Sequence, residues 1–166
     1  MKHEMRNSVS AEVFIELPCA EVWARLRDLT RPHFYVPGLL RTRMDTPVLE
    51  GVGASRTVFP RRLPPLQETV TEWTEGRGMV LRLHRGEKAM SPFAAIEFVY
   101  DIEPAGAART RFRPAMRYDT GTGLVGALLD NALLRHVLSS NLRDIATNLK
   151  GFFETGKPTN PDFKDG

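Results

Sequence analysis

The sequence predicts an α+β domain: a curved, seven-stranded antiparallel sheet, two short helices after the first strand, and one long C-terminal helix. Two observations carry this. Six strand-like runs lie between residues 39 and 118, joined by short links with Pro or Gly, and short links suit antiparallel neighbours. Then comes a segment without proline from about Gly123 to Glu154. At about 1.5 Å per residue its roughly 31 residues make a rod of roughly 46 Å, long enough to need a sheet along it.

In order, residues 1–8 read as a polar tail, 9–155 as one domain and 156–166 as a second tail. Val9, Ala11, Val13, Ile15 and Leu17 alternate with Ser10, Glu12 and Glu16, the pattern of a half-buried strand. Pro18 ends it and opens a helix over about 19–29, with Val22, Trp23, Leu26 and Leu29 inward. A broken helical turn, rich in aromatics, spans 31–36. Strands follow at about 39–46, 53–60, 66–75, 78–87, 93–103 and 108–118, with a tight hairpin at Gly76–Gly78.

One sheet face reads as charged. Arg109, Arg111, Arg113 and Arg117 alternate with Thr110, Phe112, Met116 and Tyr118; Glu97 and Asp101 alternate with Phe98 and Tyr100. Glu68, Glu72, Arg82 and His84 are assigned to that same outer face, and Thr69, Thr71 and Trp73 to the inner one. Cross-strand pairing makes the arginine row a solvated face rather than an anion site.

The helix is capped by Thr120 or Thr122 and stopped by Gly156 and Pro158. Leu138, Leu142, Ile145, Ala146, Leu149, Phe152 and Phe153 share one face of its second half. Extended backward, that stripe meets Leu124, Leu128, Asn131 and Arg135. Either the helix kinks near Arg135 and both polar residues sit at a wet edge, or they face an internal cavity. Arg135 could equally pair with Asp119 or Asp130 and point outward.

Composition narrows the classes. The 166 residues fit one domain, 42% hydrophobic and 26% charged, with a formal charge of +3. The basic residues are scattered, so nucleic acid is not favoured. One cysteine excludes a disulfide framework, and four dispersed histidines offer no metal ligand set, so no metal and no cofactor are expected. No apolar run spans a membrane and no leader is visible, so the default location is the cytoplasm. No GxSxG, HExxH, P-loop or dinucleotide fingerprint is present.

Three stretches carry a family resemblance: VFIELPCAEVWARLRDLTRPHFYVPG, the pair IEFVYDIEPAG and ARTRFR, and the closing LKGFFE. Over about residues 9–155 the chain resembles the helix-grip fold of the START-like, SRPBCC or birch-pollen-allergen superfamily, and within it the polyketide cyclase/dehydrase and lipid transport group. The superfamily includes lipid carriers, hormone receptors, cyclases, co-chaperones and oxygenase domains. The resemblance implies a cavity between sheet and long helix for an apolar or amphipathic molecule.

With that cavity, the alternation makes Trp73, Leu81, Leu83, Phe98, Tyr100, Phe112, Met116 and Tyr118 its walls. Asn131 and Arg135 form its polar end, with His33 and Tyr35 near its mouth. Trp23 and Trp73 also read as core. Three functions stay open: a carrier of a hydrophobic small molecule such as a lipid, isoprenoid or polyketide; a metal-free cyclase or dehydratase using Tyr100, Tyr118, Arg135 or His33; and a co-chaperone-like interaction module. Leu133, Leu134 and Val137 would form an apolar patch or homodimer seam in the last case.

Overall fold

A computed structural model describes residues 5–121 and 131–164. The elements are β1 (Asn7–Ser10), β2 (Val13–Ile15), α1 (Cys19–Leu26), a 3-10 turn (Pro32–Phe34), β3 (Leu39–Met44), β4 (Ser55–Pro60) and β5 (Leu66–Thr74). Then come β6 (Gly78–Arg85), β7 (Lys88–Ala89), β8 (Phe93–Gly106), β9 (Arg109–Phe112), β10 (Ala115–Thr120) and α2 (Asn131–Thr155). All pairings are antiparallel, in the order β1-β10-β8-β6-β5-β4-β3, with β9 also beside β8 and β2 beside β9. This is a helix-grip architecture.

The expected strand runs are present, with the first and last each broken in two. Pro114 has no N–H to give a ladder, so β9 and β10 part there. Opposite that break, β1 and β2 part as well, and Ala11 N–H donates to the Pro114 carbonyl at 3.0 Å. The 14-residue β8 runs through, pairing β10 with its first half and β9 with its second. Such a corner turns a sheet on itself. β1 begins at Asn7, inside the stretch read as a tail.

α1 starts after Pro18, carries Glu21 in its first turn and buries Val22, Trp23 and Leu26. It ends earlier than the expected residue 29. α2 buries Leu142, Ile145, Ala146, Leu149, Phe152 and Phe153, the stripe read from the sequence. Gly156 ends it at φ +72, its N–H donating to the Phe152 carbonyl at 2.8 Å. The upstream part of the expected helix, 123–130, and Thr122 lie outside the described residues; Thr120 belongs to β10. Leu133 and Val137 are exposed, while Leu134 packs partly on the core. Among the described residues no helix is long and apolar enough to cross a membrane.

The segment read as a C-terminal tail is folded onto the domain. Asn160 is 5% exposed, and its Nδ2 donates to the carbonyls of His33 and Leu39 at 2.7 and 2.8 Å. Thr159 and Asn160 N–H groups both reach the Phe34 carbonyl, and Phe163 packs on the Phe34 ring. One side-chain amide thus satisfies carbonyls that would otherwise be buried unpaired. A short polar run carries no periodicity that announces this.

The outer arginine row is ion-paired: Arg109 with Glu16, Arg111 with Glu103, Arg113 with Asp101 and Arg117 with Glu97. The assignment of β5 needs correction. Leu66, Glu68 and Val70 point inward, whereas Thr69 points outward and Thr71 is exposed. Unbroken alternation puts both glutamates of this strand on one, charged face. The register shift between Val70 and Glu72 changes the phase, so Glu68 and Glu72 do not share a side. Thr69 Oγ1 meets His84 Nε2 at 2.7 Å on the outer side, where His84 is buried.

Gly78 closes the hairpin at φ +152, and a Cβ there would collide with the Tyr100 carbonyl. Gly78→Ala is expected to cost about 2 kcal/mol or more of stability. Urea unfolding checks this; an unchanged midpoint would show that β6 and β8 do not approach this closely.

Candidate ligand-binding site

A cavity of about 580 Å³ lies between the inner face of the sheet and α2. Alternation builds its walls: Leu83 from β6, Phe93, Ile96, Phe98 and Tyr100 from β8, and Met116 from β10. α2 contributes Leu138, Asn141 and Ile145. The link from the 3-10 turn to β3 and the β4–β5 loop frame the opening, with Pro37, Gly38, Arg61, Arg62 and Leu63. Arg61 is held there by Asp162 of the C-terminal segment at 2.9 Å.

The polar end is made by two strands. Arg56 on β4 and Glu68 on β5 are register partners and both line the cavity. Arg56 is 3% exposed; its Nε donates to Glu68 Oε2 at 2.6 Å and its Nη1 to the Leu29 carbonyl at 2.8 Å. Burial opposes the guanidinium charge, but Glu68, Tyr100 and Tyr35 outweigh it and hold its pKa above the usual arginine value. The hydroxyls of Tyr35 and Tyr100 lie 3.4 Å apart. Burial pushes both phenols above the ordinary tyrosine range, against the pull of Arg56. They therefore stay protonated and can donate hydrogen bonds.

The sequence-derived site is only partly assembled here. Leu83, Phe98, Tyr100 and Met116 line the cavity. Leu81, Phe112 and Tyr118 are buried in the core beside it; the Tyr118 hydroxyl finds no hydrogen-bond partner among the described residues, and Phe112 stacks on Tyr100. Tyr35 is buried rather than at the mouth and does not line the cavity; its hydroxyl backs that of Tyr100. Trp73 lies away from the cavity, edge-on to Trp23, with Arg27 against both rings. Arg135 is exposed and does not line the cavity, and the Asn131 side chain lies outside the described residues. His33 is half-buried behind the mouth, its Nδ1 2.9 Å from Thr42 Oγ1.

Sequence reasoning missed Arg56 and Glu68. Two signals were present: Arg56 shares a strand face with Val58, and Glu68 shares one with Leu66 and Val70. A charge at an apolar phase on each of two successive strands marks a buried pair.

Three comparisons bear on the chain. A family model described as polyketide cyclase / dehydrase and lipid transport matches residues 6–154. No curated protein matches. Among solved structures, a START superfamily protein from Mycobacterium smegmatis aligns at TM-score 0.73 and 12% identity, over 90% of this chain and 99% of that one. Ara h 8.0201 aligns at TM-score 0.65 and 14% identity, over 89% and 97%. The di-domain ARO/CYC protein BexL from the BE-7585A biosynthetic pathway aligns at TM-score 0.66 and 14% identity, over 88% of this chain and 47% of its own. At such identities the structures establish the fold.

Two predictions follow from the geometry. Glu68→Leu leaves Arg56 buried without its counter-charge and is expected to cost about 3–5 kcal/mol; Arg56→Leu strands Glu68 in the same way. The double variant should recover most of that loss in urea unfolding, and simple addition of the two costs would show that the charges are not coupled. Burial, then Arg56, lowers the His33 pKa below that of a free imidazole. The unfolded state then binds more protons, so this residue's contribution to stability falls as pH drops through about 6.5. A His33→Gln variant should lose stability less steeply between about pH 7.5 and 5.5 than the parent; parallel pH profiles would refute this.

Proposed function

The chain belongs to the polyketide cyclase/dehydrase and lipid transport family, and from that premise we propose that it binds a hydrophobic or amphipathic small molecule in the cavity between sheet and α2. The observation that carries the reading is a cavity of about 580 Å³ whose apolar walls end in the Arg56–Glu68 ion pair and the Tyr100 hydroxyl, which Tyr35 backs at 3.4 Å. Sites for small organic ligands commonly combine such a volume with a few convergent polar groups. The body of the ligand rests on Phe98, Ile96, Leu83 and Met116, and its polar group meets Arg56, Glu68 and Tyr100. Burial of about 300 Å² of apolar ligand surface at about 25 cal/mol/Å² supplies about 7.5 kcal/mol before ordering costs. Micromolar affinity survives those costs.

Lipid, isoprenoid and polyketide-like bodies all fit this description. The polar end also bears on turnover. Two phenols kept protonated beside a guanidinium can polarise a carbonyl, but neither is an available base.

Organic-solvent extraction of the purified protein, read with native mass spectrometry, is expected to release one bound small molecule. Asn141 is exposed at the rim, so Asn141→Trp plugs the opening without repacking the core. That variant should carry several-fold less of the molecule, about 1 kcal/mol of lost binding. Recovery of the same amount from both proteins would place the ligand elsewhere.

A further inference from the structure

We infer that Glu68 sets the ligand specificity of this cavity: by neutralising Arg56 it selects uncharged head groups that both accept and donate hydrogen bonds, and it rejects carboxylates. The inference rests on the cavity being the binding site and goes beyond that reading by naming the head-group chemistry.

Charge balance is the first argument. Among the described residues, the charged side chains that line the cavity are Arg56 and Glu68 within, and Arg61, Arg62 and Asp162 at the opening. Arg61 and Asp162 pair with each other, and Arg56 and Glu68 pair at 2.6 Å. The interior therefore holds one positive and one negative charge in contact. A carboxylate brought to Arg56 also comes up against Glu68. Attraction and repulsion act over similar distances and largely cancel, while the dehydration cost of the anion is undiminished. An isolated arginine would favour acids; this one is already occupied.

Hydrogen-bond capacity is the second argument. Arg56 uses Nε on Glu68 and one Nη1 hydrogen on the Leu29 carbonyl. A guanidinium carries five N–H donors, so others remain for a ligand acceptor. Tyr100 lines the same space and adds a hydroxyl. On the acid, Oε2 is taken by Arg56, and Oε1 receives no hydrogen bond among the described residues. Glu68 is thus a free strong acceptor facing the cavity. Donor and acceptor side by side match a neutral group of the same dual kind: a phenol, an alcohol or an enolised hydroxy-ketone. An ester or simple ketone uses only half of it, and an acid meets a like charge at the acceptor.

The lever is a single proton's worth of charge. Glu68→Gln keeps the size and an amide oxygen for Arg56, and removes the negative charge. Arg56 is then free to pair with an anion, and the preference should move towards acids.

Matched fluorescent probes test this: 1-hydroxypyrene, neutral near neutral pH, and pyrene-1-carboxylate, charged there. The parent protein is expected to bind the hydroxy compound at least about ten-fold more tightly, and Glu68→Gln should shrink that ratio about ten-fold or reverse it. Equal binding of the two probes by the parent, or tighter binding of the carboxylate, overturns the inference while leaving the cavity reading intact. An unchanged ratio in a folded Glu68→Gln protein, checked by circular dichroism, also overturns it. If neither probe binds the parent, the cavity reading falls and this inference falls with it. The parent's ratio decides even if the variant does not fold.

Discussion

A guanidinium that is 3% exposed obliges the chain to build acceptors around it before the domain can close. Arg56 meets that obligation with one partner on the neighbouring strand, Glu68, and one on the loop after α1, the Leu29 carbonyl. The second bond ties the sheet to the loop after α1 and so to the turn that carries Tyr35. Its hydroxyl reaches Tyr100 on β8. One buried pair thereby sets the relative position of β4, β5, the loop after α1 and the centre of the sheet. Such pairs add little net stability compared with apolar residues of the same volume. What this one adds is polarity inside an otherwise apolar space, and the proposed function rests on that polarity.

The space itself follows from how the sheet bends. Pro114 and the matching gap after Ser10 let the outer strands turn a corner while β8 runs through. The described part of α2 packs its Leu142–Phe153 stripe against one end of that curve. Phe93, Ile96, Phe98 and Met116 continue along the inner face beyond it and bound the cavity instead. The C-terminal segment finishes the opposite wall. Asn160 fixes it beneath the 3-10 turn, and Asp162 then meets Arg61 at the opening.

Most of the architecture was legible in the sequence, because strand alternation and helical spacing are local and period-bound. The inner faces of β8 and β10 came out correctly: Phe98, Tyr100 and Met116 stand where alternation puts them. The site was less legible, for two physical reasons. A charge can face inward when the next strand supplies its partner, and pairing between strands is not a one-strand signal. Glu68 is therefore assigned to the outer face in the sequence, and Arg56 draws no assignment there. Extending the helix stripe backward, as if α2 faced the sheet along its whole length, brings in Arg135; the structure leaves it exposed, in line with the wet-edge alternative. Asn160 was illegible for a third reason, since its role depends on two carbonyls far away in the chain.

The two ends of the inner space differ in kind. Around Tyr35 the rings of Phe34, Phe152, Phe153 and Phe163 pack at centroid distances from 4.6 to 6.1 Å. Aromatic packing of this density fixes side chains in place, so the Tyr35 hydroxyl is held before any ligand arrives. The walls further out include Met90, Met116, Leu138 and Leu83, whose aliphatic and thioether chains change shape at little cost. Under the proposed function, this rigid polar end and compliant apolar wall divide the labour of recognition. Hydrogen-bond geometry at Arg56, Glu68 and Tyr100 discriminates sharply, because a mismatched buried polar group loses its full solvation. The methionine-bearing wall discriminates weakly, because it can refill around bodies of different outline. On the proposed binding function, selectivity in this cavity resides in the head group of the ligand far more than in its apolar body.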